Sequence, residues 1–195
     1  MTSANDWIDS VLPQAARHPG LALARLSDAR IHGKMGLTLT SPAFAPGEAL
    51  DPCFTADEED AVAPPLEWTS PPPGAQEIAI IVEDATSTGP EPRCHWMVWG
   101  LPGQRGKLLE GETPPRTGKN AIGNSEWLLP DLPDDETHTY VFQLFALDLP
   151  LTLLPGASRS ELLAALDGHV MASTSLVAQY TKSEENDDWV DDEID

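Results

Sequence analysis

The chain has 195 residues, an apolar share of 41% and a formal net charge of -21, from 11 basic and 32 acidic side chains. This length fits one domain with terminal extensions. The acidic balance disfavours nucleic acid as a partner, because phosphate groups are also negative. No apolar run of about 18 residues could span a membrane, and the first residues lack the basic and apolar regions of a secretory signal. We therefore expect a cytoplasmic protein without stable membrane insertion.

Three regions are predicted along the chain. Residues 1–36 form an N-terminal arm, in which apolar side chains at helical spacing predict a short helix within 5–16. Residues 37–182 form the domain proper and open with a strand-like LTLTS segment. Residues 183–195 are acidic and hold too little apolar surface to pack, so this tail is predicted to be disordered.

Strong strand patterns follow in three segments, namely 77–84, 94–102 and 138–148. The first is a near-continuous apolar run with β-branched residues, which is typical of a central strand. Ser158 and Glu161 then form a capping-box pattern before a helix of about ten residues that stops at Gly168. The last segment, HVMASTSLVAQY, is predicted as a short helical turn followed by a strand. Strands dominate without a βαβ rhythm, which favours a mainly β, antiparallel fold with a few peripheral helices.

Polar residues at the ends of these strands are the candidate site. Side chains alternate between the two faces of a strand, which places Asp84 with Val82 and His95 with Met97 and Trp99. On the third strand, His138 and Tyr140 share a face with Phe142 and Leu144. If the three strands are neighbours, their polar ends converge on one pocket, which is where sites on a rigid sheet usually form.

The chemistry of these residue types indicates an anion site. A carboxylate beside an imidazole favours the charged ring, and we expect Asp84 to orient and charge His95. Two such rings and a phenol supply N–H and O–H donors for phosphate, sulfate or carboxylate. The same histidines could instead be half-buried structural residues.

Two other chemistries remain open. Two histidines and one carboxylate form the ligand set of some iron and zinc sites, although the spacing gives no metal motif. An acid–base enzyme could use the same four residues. Nucleophilic catalysis fits poorly, because Cys94 and His95 are adjacent on a strand and point to opposite faces. No GxSxG, GxGxxG or P-loop occurs, so no cofactor is expected.

Four segments, in order, resemble the phosphatidylethanolamine-binding protein family, especially its bacterial Raf-kinase-inhibitor-like branch. They are SPAFAPGEALDPCFTADEEDAVAPPLEW, IVEDATSTGPEPRCHWMVWGLP, GNSEWLLPDLPDDETHTYVFQLFALD and LLAALDGHVMASTSLVAQY. The resemblance runs from about Leu37 to Tyr180. It implies a β-sandwich, with a large central sheet against a smaller one, and a rim pocket for phosphate-like groups such as the phosphoethanolamine head.

The resemblance also implies roles for individual residues. The aspartate of the family's first loop matches Asp84, and its histidines and tyrosine match His95, His138 and Tyr140. The family's second-loop aromatic matches Trp127 and its Gly-Pro matches Leu129-Pro130, so these three residues are expected to wall the pocket. The second aspartate of the first loop is replaced by Thr86, which weakens recognition of an ethanolamine amine.

The sequence therefore predicts a binding protein for a small anionic ligand, such as phosphate, phosphoethanolamine or a carboxylate. An interaction module that inhibits a kinase or protease is an alternative that relatives suggest. The resemblance to the bacterial branch also suggests a homodimer, although no feature of the sequence itself supports one.

Overall fold

A computed structural model of the chain describes residues 5–182. In this part of the chain, seven strands form two sheets. The strands are β1 Leu39–Thr40, β2 Leu66–Trp68, β3 Glu77–Asp84, β4 Arg93–Pro102, β5 Gly106–Leu108, β6 Thr137–Leu147 and β7 Val170–Thr181. The α-helices are α1 Ile8–Val11, α2 Ala22–Leu26 and α3 Arg159–Leu166, and single 3₁₀ turns occur at Gln14–Ala16, Lys34–Gly36 and Pro52–Phe54. The predicted disordered tail, 183–195, lies outside the described residues.

The large sheet has the strand order β4-β3-β6-β7, and every neighbouring pair is antiparallel. Strand β3 lies inside this sheet and all of its residues are buried, which explains why its sequence is a nearly continuous apolar run. The three strands predicted most strongly are confirmed as β3, β4 and β6, within one residue at each end.

The smaller sheet, in the order β1-β2-β5, covers one face of the large sheet. Buried side chains of both sheets form one apolar cluster between them, including Leu39, Leu66, Trp68, Leu108, Ile80, Val82, Trp96, Phe142 and Leu144. The expected mainly β fold, with a large and a smaller antiparallel sheet, is therefore confirmed.

The N-terminal residues and α3 cover the opposite face of the large sheet. Leu21, Ala22 and Leu23 are fully buried in a second apolar cluster that also contains Leu162 and Leu166 of α3. No helix within residues 5–182 is long and apolar enough to cross a bilayer. The large sheet thus has a packed core on each face.

The first predicted helix is shorter than its sequence pattern. α1 ends at Val11, and Leu12 is extended, with φ -119° and ψ 138°. A residue before proline is disfavoured in the helical region, so Pro13 ends the helix at this point. One 3₁₀ turn, Gln14–Ala16, follows.

The predicted helical turn after Gly168 is wrong. Gly168 has a φ of 78° and ends α3, and β7 begins at Val170 and pairs with β6 along almost its whole length. The reason is tertiary, because an unpaired β6 edge would leave buried backbone groups without partners. The capping box is confirmed: the Ser158 hydroxyl accepts from the N–H of Glu161, and the Glu161 carboxylate accepts from the N–H of Ser158.

Candidate functional site

A β-bulge in β4 determines where His95 points. On β3, Val82 pairs with Trp96, whereas the next residue, Glu83, pairs with Cys94. His95 is therefore the extra residue between two successive pairs. The bulge reverses the alternation of side chains at this point of the strand.

The face predicted for His95 is therefore wrong. Met97 and Trp99 belong to the cluster under the N-terminal residues, whereas the His95 ring contacts Tyr140 on the opposite face, with 5.0 Å between the ring centroids. Asp84 pairs directly with Tyr140 in the sheet. The bulge thus brings His95 to the same edge as Asp84 and Tyr140, which regular alternation would not do.

A cavity of about 850 Å³ opens at this edge of the large sheet. Five predicted site residues line it, namely Asp84, His95, Leu129, His138 and Tyr140. The remaining lining residues belong mainly to the loops before β4 and β6: Ala56, Thr86, Ser87, Thr88, Glu91, Arg93, Ala121, Leu128, Asp131, Leu132 and Glu136.

Asp84 contacts His138 rather than His95, contrary to the expected pairing. The Nδ1–H of His138 donates to Oδ2 of Asp84 at 2.5 Å, and Oδ1 of Asp84 accepts from the N–H of Thr86 at 2.9 Å. On the other side of the ring, Nε2 of His138 lies 3.4 Å from Oε2 of Glu136. The imidazole of His138 is therefore held between two carboxylates at the mouth of the cavity.

His95 is buried and neutral, so the expected cationic ring is not found there. Burial lowers the pKa of His95 to about 4, against smaller opposing effects of its hydrogen bond to Leu128 and of the Asp84 charge. Nδ1 lies 2.7 Å from the carbonyl oxygen of Leu128. Because a carbonyl only accepts, Nδ1 carries the hydrogen of the neutral ring and Nε2 is an acceptor. Nε2 is buried without a hydrogen-bond partner among residues 5–182.

Tyr140 forms the second part of the inner wall. Its side chain is fully buried, and its hydroxyl has no hydrogen-bond partner within the described residues. Burial, followed by the nearby Asp84 charge, raises the pKa of Tyr140, so it remains a phenol. Two other buried atoms, Nε1 of Trp7 and Oε2 of Glu77, also lack partners in residues 5–182, but neither residue lines this cavity.

Trp127 and Pro130 were expected to wall the pocket, but they are not among its lining residues. Trp127 lies behind His95, stacks on Phe142 and donates from Nε1 to the carbonyl of Phe54 at 3.0 Å. The carbonyl of Pro130 accepts the N–H of Ala56 at 2.9 Å. Both residues therefore position wall residues instead of facing the cavity.

Charged residues at the rim were missed by sequence reasoning. Arg93 supplies one cation, whereas Glu91, Asp131 and Glu136 supply carboxylates in addition to Asp84. Strand alternation offered a signal for two of them, because Arg93 and Glu136 each lie two residues before a site histidine. The loop residues Glu91 and Asp131 had no such signal.

A metal ion would need several ligands around one point. In the described part of the chain, no group of three or more histidine, cysteine, aspartate or glutamate side chains has that arrangement. The Nδ1 atoms of His95 and His138 are instead hydrogen-bonded to Leu128 and Asp84.

The fold and the cavity define a class: a two-sheet antiparallel β protein with a polar cavity at one sheet edge. A family model described as "Phosphatidylethanolamine-binding protein" matches residues 40–181. A UPF0098 protein of Methanothermobacter thermautotrophicus is 31% identical over 153 residues, which cover 75% of this chain and 99% of that relative. The chain belongs to the phosphatidylethanolamine-binding protein family.

Solved structures agree with this assignment. A phosphatidylethanolamine-binding protein homologue, CT736 of Chlamydia trachomatis, has a TM-score of 0.70 and 30% identity, covering 75% of this chain and 98% of its own. YbcL of Escherichia coli, described as a member of the mammalian PEBP family, has a TM-score of 0.66 and 21% identity, covering 74% and 98%. The similarity to YbcL shows a shared fold alone.

Proposed function

We propose that the cavity reversibly binds a small ligand with a phosphate or carboxylate head group. The observation that carries this proposal is the pair of unpartnered buried atoms in its inner wall, Nε2 of His95 and the hydroxyl of Tyr140. Leaving a buried polar group unpaired costs about 1–3 kcal/mol. A head group that carries several oxygen atoms close together, with a hydrogen on one of them, can partner both.

The mouth of the cavity supplies the remaining contacts. His138 is fixed by Asp84, and a ligand oxygen would compete with Glu136 for its Nε2. Arg93 supplies a guanidinium that matches an acid oxygen. The carboxylates of Glu91, Asp131 and Glu136 complement an ammonium group. A zwitterionic head group such as phosphoethanolamine, which the family's name suggests, therefore suits the charges of the rim better than an anion alone.

The chemistry of Cys94 supports binding over nucleophilic catalysis. Cys94 belongs to the cluster on the opposite face of the sheet, and burial raises the pKa of its thiol to about 12. It therefore supplies no thiolate to the cavity. The cytoplasmic location and the interaction-module alternative stay predictions.

Calorimetric titration with phosphoethanolamine and with inorganic phosphate tests this proposal. We expect His138→Ala to weaken binding by at least about tenfold, because it removes the imidazole that the described residues place at the mouth. His169→Ala is the matched control, since His169 also pairs with a carboxylate, that of Asp148 at 3.1 Å, but does not line the cavity. Equal affinities of the wild type and His138→Ala, or no binding of either probe to the wild type, would contradict the proposal.

A further inference from the structure

The inner wall of the cavity presents an acceptor where an anion site normally presents donors. The Leu128 carbonyl keeps the hydrogen of the neutral His95 ring on Nδ1, so Nε2 offers a lone pair. This atom is enclosed, because His95 is only 3% exposed. An oxygen without a hydrogen would meet this lone pair with repulsion.

The neighbouring hydroxyl of Tyr140 differs from Nε2 of His95 in the hydrogen bonds that it can form. A phenol has one hydrogen to donate and can also accept. The two rings meet edge to face with 5.0 Å between their centroids, and both residues line the cavity, so one small head group lies next to both side chains. The most complete pairing is a ligand hydroxyl that donates to His95 and a second ligand oxygen that accepts from Tyr140.

The surrounding charges also disfavour a doubly negative ligand. The charges of Asp84, Arg93 and His138 act on His95, and Tyr140 contacts its ring. Glu91, Asp131 and Glu136 add three carboxylates at the rim, of which Glu91 lies 3.7 Å from Arg159 and Asp131 lies 3.7 Å from Lys182. A singly charged ligand therefore meets less repulsion than a dianion.

We infer that the head group binds with a hydrogen on the oxygen that meets Nε2 of His95, so that the cavity selects a phosphomonoester monoanion over a dianion or a sulfate. This inference rests on the proposed function and specifies the protonation state of its ligand. No covalent step is involved, and the hydrogen stays on the ligand as a shared hydrogen bond.

Methyl phosphate and methyl sulfate form a matched pair of probes. At about pH 5.5, below the second pKa of a phosphomonoester near 6, methyl phosphate is mostly a monoanion with one hydroxyl hydrogen. Methyl sulfate has the same charge and shape but no such hydrogen. By calorimetry with the wild-type chain, we expect methyl phosphate to bind at least about tenfold more tightly at this pH. Its affinity should then fall by nearly tenfold per pH unit above about pH 7, as the monoanion disappears.

Methyl sulfate also controls for titration of the protein. Any change in the protein's own charge with pH acts on both probes. If methyl sulfate binds as tightly as methyl phosphate, or gains affinity equally on acidification, the hydrogen belongs to the protein and the inference is wrong while the proposed function stands. If neither probe binds and phosphoethanolamine does not bind either, the proposed function fails as well. In His95→Phe, the preference for methyl phosphate should disappear.

Discussion

Glu83 and Asp84 are adjacent on β3, yet their surroundings on the two faces of the large sheet differ in kind. The fully buried Glu83 carboxylate accepts from the N–H of Ala22 at 2.8 Å, from Nε2 of Gln143 at 2.9 Å and from Nε of Arg159 at 2.6 Å. On the other face, Asp84 lies beside the two unpartnered atoms of the cavity.

Buried polar groups therefore have different roles on the two faces of the large sheet. The Glu83 carboxylate accepts all of its hydrogen bonds from groups of the protein, which fixes the segment around Ala22 to the sheet. It therefore has no role in binding a ligand. In the cavity, Nε2 of His95 and the hydroxyl of Tyr140 have no hydrogen-bond partner among residues 5–182. This lowers the stability of the free protein, and a ligand that pairs with both atoms would raise it again. Substitutions on the first face should therefore change stability, and those on the second should change binding.

Arg159→Met should give the largest effect on stability. It leaves the Glu83 carboxylate buried without its ion-pair partner, and we expect a loss of about 3–5 kcal/mol in the free energy of unfolding. Urea denaturation measures this loss. Arg30→Met is the control, because Arg30 pairs with Asp28 on the exposed surface and its loss should leave stability unchanged. An Arg159→Met chain as stable as the wild type would show that the network does not hold this face.

The two tyrosines of the chain provide a matched pair with smaller effects. The Tyr180 hydroxyl donates to Asp57 at 2.8 Å, so Tyr180→Phe should lower the free energy of unfolding by about 1.5 kcal/mol and leave ligand affinity unchanged. Tyr140→Phe removes a hydroxyl without a partner in residues 5–182. It should leave stability unchanged or raised, and weaken phosphoethanolamine binding by about tenfold. The comparison of the two faces would fail if Tyr140→Phe were the more destabilising of the two substitutions.

Sequence patterns correctly predicted those strands and helices whose formation is determined locally. The apolar run of β3 and the capping box of α3 depend on residues close in sequence, and both are found. The strand after Gly168 was predicted in part as a helical turn, because its conformation depends on β6, which lies about 30 residues earlier in the sequence.

The sequence predicted most residues of the site but not their relative positions. Asp84, His95, His138 and Tyr140 do line one cavity. Regular alternation, however, could not reveal the bulge, which results from strand register and has no residue signature at His95. The neutral state of His95 also depends on burial and on the Leu128 carbonyl, neither of which is visible in the sequence.

Nitrogen-15 NMR of the His95 imidazole tests the central claim most directly. In the free protein at neutral pH, we expect Nδ1 to be protonated and Nε2 to be a bare acceptor, with the ring titrating only near pH 4. Saturating phosphoethanolamine should shift the Nε2 resonance of His95 and leave His169 unchanged. A ring protonated on Nε2, a titration near the ordinary value of about 6.5, or an Nε2 resonance that ignores the ligand would contradict the account.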